Sequence, residues 1–227
     1  MLVIISQNES WSKRFSMSDP NDLYHLDRSP LLIVISGTSG AGKDSVARAL
    51  VRRMEAAGYP AHFVVTATSR PKRENEIDGV DYVFVSKDEF ERMIDQDELL
   101  EYAVVYDQYK GIPRQQAMDA LASGRDVVMR LDIQGAATIR HMAPSAVLIF
   151  ITASSEQELA ERLRRRRTES EAQLHLRLET ARREMQHVGE FDYVIRNANG
   201  KLEQTIDVAL SIAIAEKHRA NPRQTLL

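Results

Sequence analysis

The stretch Gly37-Thr38-Ser39-Gly40-Ala41-Gly42-Lys43-Asp44-Ser45 most constrains what this chain can fold into. It follows the apolar run Leu31 to Ile35. It precedes a segment, Val46 to Ala57, in which Val46, Leu50, Val51 and Met54 fall at helical spacing. Strand, glycine-rich turn and helix in that order form the context of a phosphate-binding loop. The glycines let backbone N–H groups turn inward and approach a phosphate closely. The start of the following helix adds positive potential. Lys43 would meet the outer phosphates as a point charge. Residues Gly37 to Ser45 are therefore expected to hold the phosphates of a nucleotide. One position departs from the motif: Asp44 stands where a Ser or Thr is expected.

The rest of the chain alternates between two characters. Leu31 to Ile35, His62 to Thr66, Asp126 to Leu131, Ala146 to Thr152 and Phe191 to Ile195 read as strands. Helical patterns separate them: Val46 to Ala57, Gln115 to Ala122, Ala136 to Met142, a segment capped by Ser155 and Glu158, Glu171 to about His187, and Leu202 to about Lys217. Strands alternating with helices imply a three-layer α/β core around a parallel sheet. Residues 66–114 break that rhythm. Short strand-like pieces surround one helix that starts at a Ser86/Glu89 capping box, which predicts an inserted α+β subdomain. The expected organisation is a flexible extension over 1–29, a domain over 30–217 with its core in 30–65 and 115–217, and a tail over 218–227 that frays.

Composition removes several function classes. With 227 residues and 43% apolar content, the chain is long enough for one large domain. It has no cysteine, so disulfides, thiolate catalysis and cysteine–zinc sites are excluded. A net charge of -3 gives no expectation of nucleic-acid binding. No apolar run is long enough for a membrane span, and Ser6 to Ser16 is too polar for a signal peptide core. A cytoplasmic protein is expected, with its oligomeric state left open.

Several segments beyond the loop resemble guanylate kinase. They are Thr68-Ser69-Arg70-Pro71-Lys72-Arg73, Asp78-Gly79-Val80-Asp81-Tyr82-Val83-Phe84-Val85-Ser86, Leu100-Glu101-Tyr102-Ala103, Leu131-Asp132-Ile133-Gln134-Gly135-Ala136 and Glu190-Phe191-Asp192-Tyr193-Val194-Ile195. The likeness runs in unbroken order over about 31–215. It implies a P-loop core, an inserted monophosphate-binding subdomain at 66–114 and a helical lid at about 162–178. It also implies transfer of the terminal phosphoryl of ATP to GMP, with Mg2+. Arg70 and Arg73, three apart around a stiffening proline, suit a bidentate grip on the GMP phosphate, although a solvated basic turn would read the same way. Tyr82 would give its hydroxyl to that phosphate, or else be a core tyrosine. Resemblance assigns base reading to Thr66, Glu101 and Asp132. A carboxylate such as Glu101 can accept both the ring N–H and the amino group of guanine; the bland alternative is an edge-strand residue facing water. Arg162, Arg166 and Arg177 match the lid arginines, which with Lys43 would neutralise the transferring phosphoryl. Asn197 matches a position near adenine.

Four positions depart from the family pattern. Lys110 stands in place of a tyrosine and would hold phosphate by charge. Ile112 replaces a hydroxyl residue that reads guanine. Arg130 replaces an acidic residue two before Asp132. Asp44 would ligate Mg2+ together with Ser45, since a carboxylate binds hard cations well. Without an ion between them, its charge would repel a phosphate at about 4 Å by roughly 4 kcal/mol at an effective dielectric near 20. These departures keep open a related kinase with another acceptor, such as a different nucleoside monophosphate or ribose 1,5-bisphosphate. A phosphate-binding scaffold without catalysis is the alternative from another class.

Overall fold

A computed structural model describes residues 29–105, 108–165, 171–225 and 227. Of the sequence expectations, most of the extension at 1–29 and the lid residue Arg166 lie outside these described residues. The elements follow in order as β1 (Leu32–Gly37), α1 (Lys43–Ala56), β2 (Ala61–Phe63), β3 (Ala67–Thr68), β4 (Val83–Phe84), α2 (Lys87–Asp95) and β5 (Leu99–Val105). Then come β6 (Gln108–Pro113), α3 (Arg114–Ala122), β7 (Asp126–Arg130), α4 (Ile133–Met142), β8 (Val147–Thr152), α5 (Glu156–Arg165), α6 (Glu171–Gln186), β9 (Tyr193–Arg196) and α7 (Leu202–Lys217).

Five strands form one parallel sheet in the order β2-β7-β1-β8-β9. The central strand β1 is buried along its whole length. Its alternate residues serve opposite faces, as the two-residue period of a strand requires. Ile33 and Ile35 pack with Val46, Leu50 and Met54 of α1 and with Ala209 and Ala213 of α7. Leu32 and Val34 pack on the other side with Ala117 of α3 and with Ala136 and Ile139 of α4. Helices therefore cover both faces, and a continuous β-branched run is the sequence such a strand needs. Each of the Leu, Ile, Val and Met side chains among these, fully withdrawn from water, contributes roughly 2 kcal/mol.

The second sheet has four strands in the order β4-β3-β6-β5. Its small core gathers Ala67, Phe90, Met93 and Leu99. The expected helix at the Ser86 capping box is α2, where Ser86 Oγ accepts from Glu89 N at 3.1 Å. Strand β6 has no signature of its own. Gln108, Lys110, Gly111 and Pro113 are poor strand formers, and pairing with β5 and β3 imposes the extended shape on them.

Two further features secure the sheet at the end away from the loop. The ends of β7, β1 and α7 meet at Asp126, which accepts from Leu31 N and from Lys217 Nζ, both at 2.7 Å, while only 1% exposed. The tail does not fray as expected. Arg223 engages the buried carboxylate of Glu216, Thr225 Oγ1 donates to Pro30 O at 2.8 Å, and Leu227 packs against the core. Among the described residues, no helix is long and apolar enough to cross a membrane.

Candidate active site

The glycine-rich turn leaves the carboxyl end of β1, where ligands bind in sheets of this kind. Gly37 has φ +124°, and a Cβ on it would lie 2.0 Å from Ile151 O in the neighbouring strand. No side chain fits there, so this glycine is fixed by both conformation and space. Gly42 caps α1 at φ 91°, against the side chain of Asn197. Lys43 folds back over the turn and donates to Gly37 O at 2.6 Å and Thr38 O at 3.1 Å. Burial holds its amine below the ordinary lysine pKa, partly offset by the carboxylate of Glu184.

Glu184 is the functional candidate that sequence reasoning missed. It sits on α6, and its Oε2 accepts from Ser39 N at 2.8 Å. Burial pushes its pKa up, and Lys43 and the Ser39 amide pull it back. A carboxylate thus occupies backbone N–H capacity that the loop would offer to a phosphate. The available signal was spacing: Arg177, Ala181 and Glu184 fall at i, i+4 and i+7, on one helix face.

A cleft of about 1360 Å3 runs from this loop to the second sheet. It exceeds the roughly 300–1,000 Å3 of sites for one drug-sized ligand and has room for two. Lys43, Asp44, Ser45, Thr66, Arg70, Arg73, Tyr82, Glu101, Lys110, Asp132 and Arg177 all line it. Sequence positions from 43 to 177 are therefore brought to one cavity.

Its far end gathers acidic, cationic and hydroxyl groups from the second sheet and the start of α4. Glu101 on β5 lies against the start of α4, where a Cβ on Gly135 would come within 2.9 Å of its Oε2. Asp132 caps that helix and accepts from Gly135 N at 2.8 Å. Burial, helped by the nearby Asp132, pushes the Glu101 carboxyl up to about 8, with Arg130 opposing. The hydroxyl of Thr66 is buried in the same cleft without a hydrogen-bond partner among the described residues. Arg70 stacks on Tyr82, with its guanidinium carbon 4.8 Å from the ring centroid. Both its terminal nitrogens engage Glu76, one of them at 2.7 Å, and Arg73 N also donates to Glu76. Those contacts hold the Glu76 carboxyl down at about 2, with the Arg70 hydrogen bonds the main cause. Glu76 was not singled out by sequence, because an acid in an acidic run has no distinguishing pattern.

Two expected groups lie elsewhere. Arg162 does not line the cleft; it holds Asn199 Oδ1 at 2.8 Å and the backbone of Asn197 and Ala41. Asn197 is 6% exposed, and both ends of its amide are engaged, by Ala41 O at 2.7 Å and by Thr205 Oγ1 at 3.1 Å. It braces the loop from behind. Ile112 is fully buried in the main core and does not reach the cleft.

A loop with an inward lysine at a parallel sheet, opposite a second small sheet bearing a cationic and acidic pocket, defines a P-loop nucleoside monophosphate kinase. The guanylate kinase family model matches residues 29–214. A rice protein, guanylate kinase 2, chloroplastic/mitochondrial, is 50% identical over 86% of this chain and 67% of its own length. The guanylate kinase of Desulfitobacterium hafniense is 41% identical over 83% of this chain and 92% of its own. The crystal structure of guanylate kinase from Anaplasma phagocytophilum superposes with a TM-score of 0.69 at 29% identity, covering 85% of this chain and 89% of that one. The chain belongs to the guanylate kinase family.

Proposed function

We propose that this chain transfers the γ-phosphoryl of ATP to GMP or dGMP, giving ADP and GDP or dGDP, with the residues of the cleft in the following roles. The loop from Gly37 to Ser45 holds the ATP phosphates, with Lys43 swinging from its backbone partners to the outer phosphates. Asn197 supports the loop. Arg70, Arg73, Tyr82 and Lys110 hold the acceptor phosphate. Thr66, Glu101 and Asp132 read the base. An oxygen of the acceptor phosphate attacks the γ-phosphorus, and the bond to the ADP oxygen breaks. No enzyme nucleophile is required, so catalysis is positioning and charge neutralisation. Arg177 stands in the cleft for that neutralisation; Arg162, which the resemblance assigns to the lid, instead contacts the loop backbone at Ala41, and Arg166 keeps its role only by resemblance.

The donors beside the loop fit Mg2+. Among the described residues no group of three or more acids or histidines forms a metal cage. This ion typically takes only one or two protein oxygens, with phosphates and waters completing the shell. Asp44 and Ser45 supply a carboxylate and a hydroxyl at the right end of the loop. Mg2+ would offset the phosphate charge and the repulsion from Asp44.

The observation that carries this reading is Glu101, a half-buried carboxylate in the same cleft as Lys43. A buried acid without a cationic partner is costly unless a ligand satisfies it. Guanine does so with two adjacent, coplanar N–H donors, a geometry matched to the two oxygens of one carboxylate. Turnover of GMP, dGMP, AMP, UMP, CMP and ribose 1,5-bisphosphate by ADP release tests it. Only GMP and dGMP should react well, and Glu101→Gln should lower kcat/KM for GMP by roughly tenfold or more. Preference for any other acceptor would sink the assignment.

A further inference from the structure

Asp44 and Arg130 each depart from the family pattern, one on the donor side and one on the acceptor side. They are in contact. Register explains how: β1 and β7 pair in parallel with Ile35 opposite Arg130, so Arg130 emerges beside the loop. Its Nε lies 2.8 Å from Asp44 Oδ1 as an ion pair, and its Nη2 donates to Tyr82 Oη at 3.1 Å. The guanidinium carbon stands 5.3 Å from the Tyr82 ring centroid. The Arg130 side chain is only 14% exposed, yet it lines the cleft. Its Nε has no aligned hydrogen-bond acceptor, and Nη1 has no partner among the described residues.

We propose that Arg130 is a further ligand of the acceptor phosphate, held in place by Asp44, which thereby couples the donor loop to the acceptor pocket. This rests on the GMP kinase reading above. A guanidinium presents five donors in a fixed fork. Asp44 takes the Nε edge, Tyr82 takes one Nη2 donor, and the remaining donors are available in the cleft. Arg70, Lys110 and Arg130 surround the same tyrosine, a concentration of positive charge that suits a dianion. Lys110 is held below its ordinary pKa chiefly by burial, with Arg130 and Arg70 adding to the depression. Asp44 is 63% exposed and keeps a second oxygen for other work at the loop. It acts on the acceptor as a positioning residue, through Arg130.

Calorimetry without ATP or Mg2+ tests this, using GMP and guanosine as ligands. Arg130→Met should weaken GMP roughly tenfold to a hundredfold and leave guanosine unchanged. Asp44→Asn should weaken GMP less, by about threefold to tenfold, since Arg130 remains but is no longer aimed. The double variant Asp44→Asn/Arg130→Met should bind GMP like Arg130→Met alone. Arg130→Lys, which keeps the charge without the fork, should still lose GMP affinity with guanosine unmoved, and serves where the methionine variant fails to fold. Unchanged GMP binding in the Arg130 variants, equal loss for guanosine, or additive effects of the two substitutions would overturn the proposal and leave the kinase reading standing. Failure of the unmodified chain to bind GMP would overturn both.

Discussion

At the scale of one residue, Glu101 has the clearest consequence. Its carboxyl is pushed up to about 8 by burial, with Asp132 adding to the effect. Below that pH the free enzyme holds a proton there. A protonated acid offers one donor where guanine also offers donors, so binding the base requires that proton to leave. Two donors from guanine then favour the ionised form and lower its pKa in the complex. The sign follows: GMP affinity should rise with pH up to about 8 and level off above it. Between pH 6.5 and 8 the Kd should fall by roughly fifteenfold, because the ionised fraction of Glu101 rises from about one in thirty to one half. Isothermal titrations across that range check it, with Glu101→Gln as the flat control. An equally steep profile in the glutamine variant would assign the titration to another group. Glu101 was legible as an acid in an apolar run. Its geometry was not, because the group it rests against, Gly135, is 34 positions away and becomes a neighbour only through folding.

At the scale of elements, α4 shows how one helix start serves both stability and recognition. Asp132 caps it, and Gly135 leaves space that the Glu101 carboxylate fills. Gly135→Ala sets two effects against each other. Within a helix, alanine is favoured over glycine by about 1 kcal/mol. The new Cβ would meet the far end of a movable side chain at 2.9 Å, so the fold can absorb it by shifting Glu101. The variant should unfold at a urea concentration equal to or above that of the parent. Its KM for GMP should nevertheless rise several-fold, with the KM for ATP unchanged. A drop in stability would mean that the helix start, rather than the carboxylate, gives way. Legibility follows the same division between local and distant information. Strand β1, the loop and α1 announce themselves because apolar period, glycines and lysine are contiguous. Strand β6 does not, since its pairing partners dictate it. Asp44 and Arg130 were each visible as anomalies, 86 positions apart, yet only the parallel register of β1 and β7 makes them a pair.

At the scale of the whole molecule, the groups proposed to bind phosphate in the cleft have internal anions as partners. Glu184 meets the Ser39 amide and faces Lys43, Glu76 holds Arg70, and Asp44 holds Arg130. These carboxylates come from α6, from the segment before β4, and from α1, so separate parts of the chain are drawn onto the cleft. A buried cation left unpaired is costly, and these acids lower that cost while no substrate is bound. Nucleotide binding then exchanges one anion for another, and only the difference between the two contributes to affinity. Glu184 is the most direct test, because its oxygen uses an N–H of the loop itself. Glu184→Gln keeps the shape but removes the charge that competes with a phosphate. ADP measured without Mg2+ should bind about threefold to tenfold more tightly to this variant, since a carboxylate beside the loop repels the ADP phosphates. The gain should shrink as salt is added, to the extent that the cleft is open to ions. GMP measured alone should be unaffected, because the acceptor phosphate is proposed to bind at Arg70 and Tyr82 rather than at the loop. Weaker ADP binding in the glutamine variant would instead show that the carboxylate supports the loaded loop, with α6 acting as part of the donor site and not as its competitor.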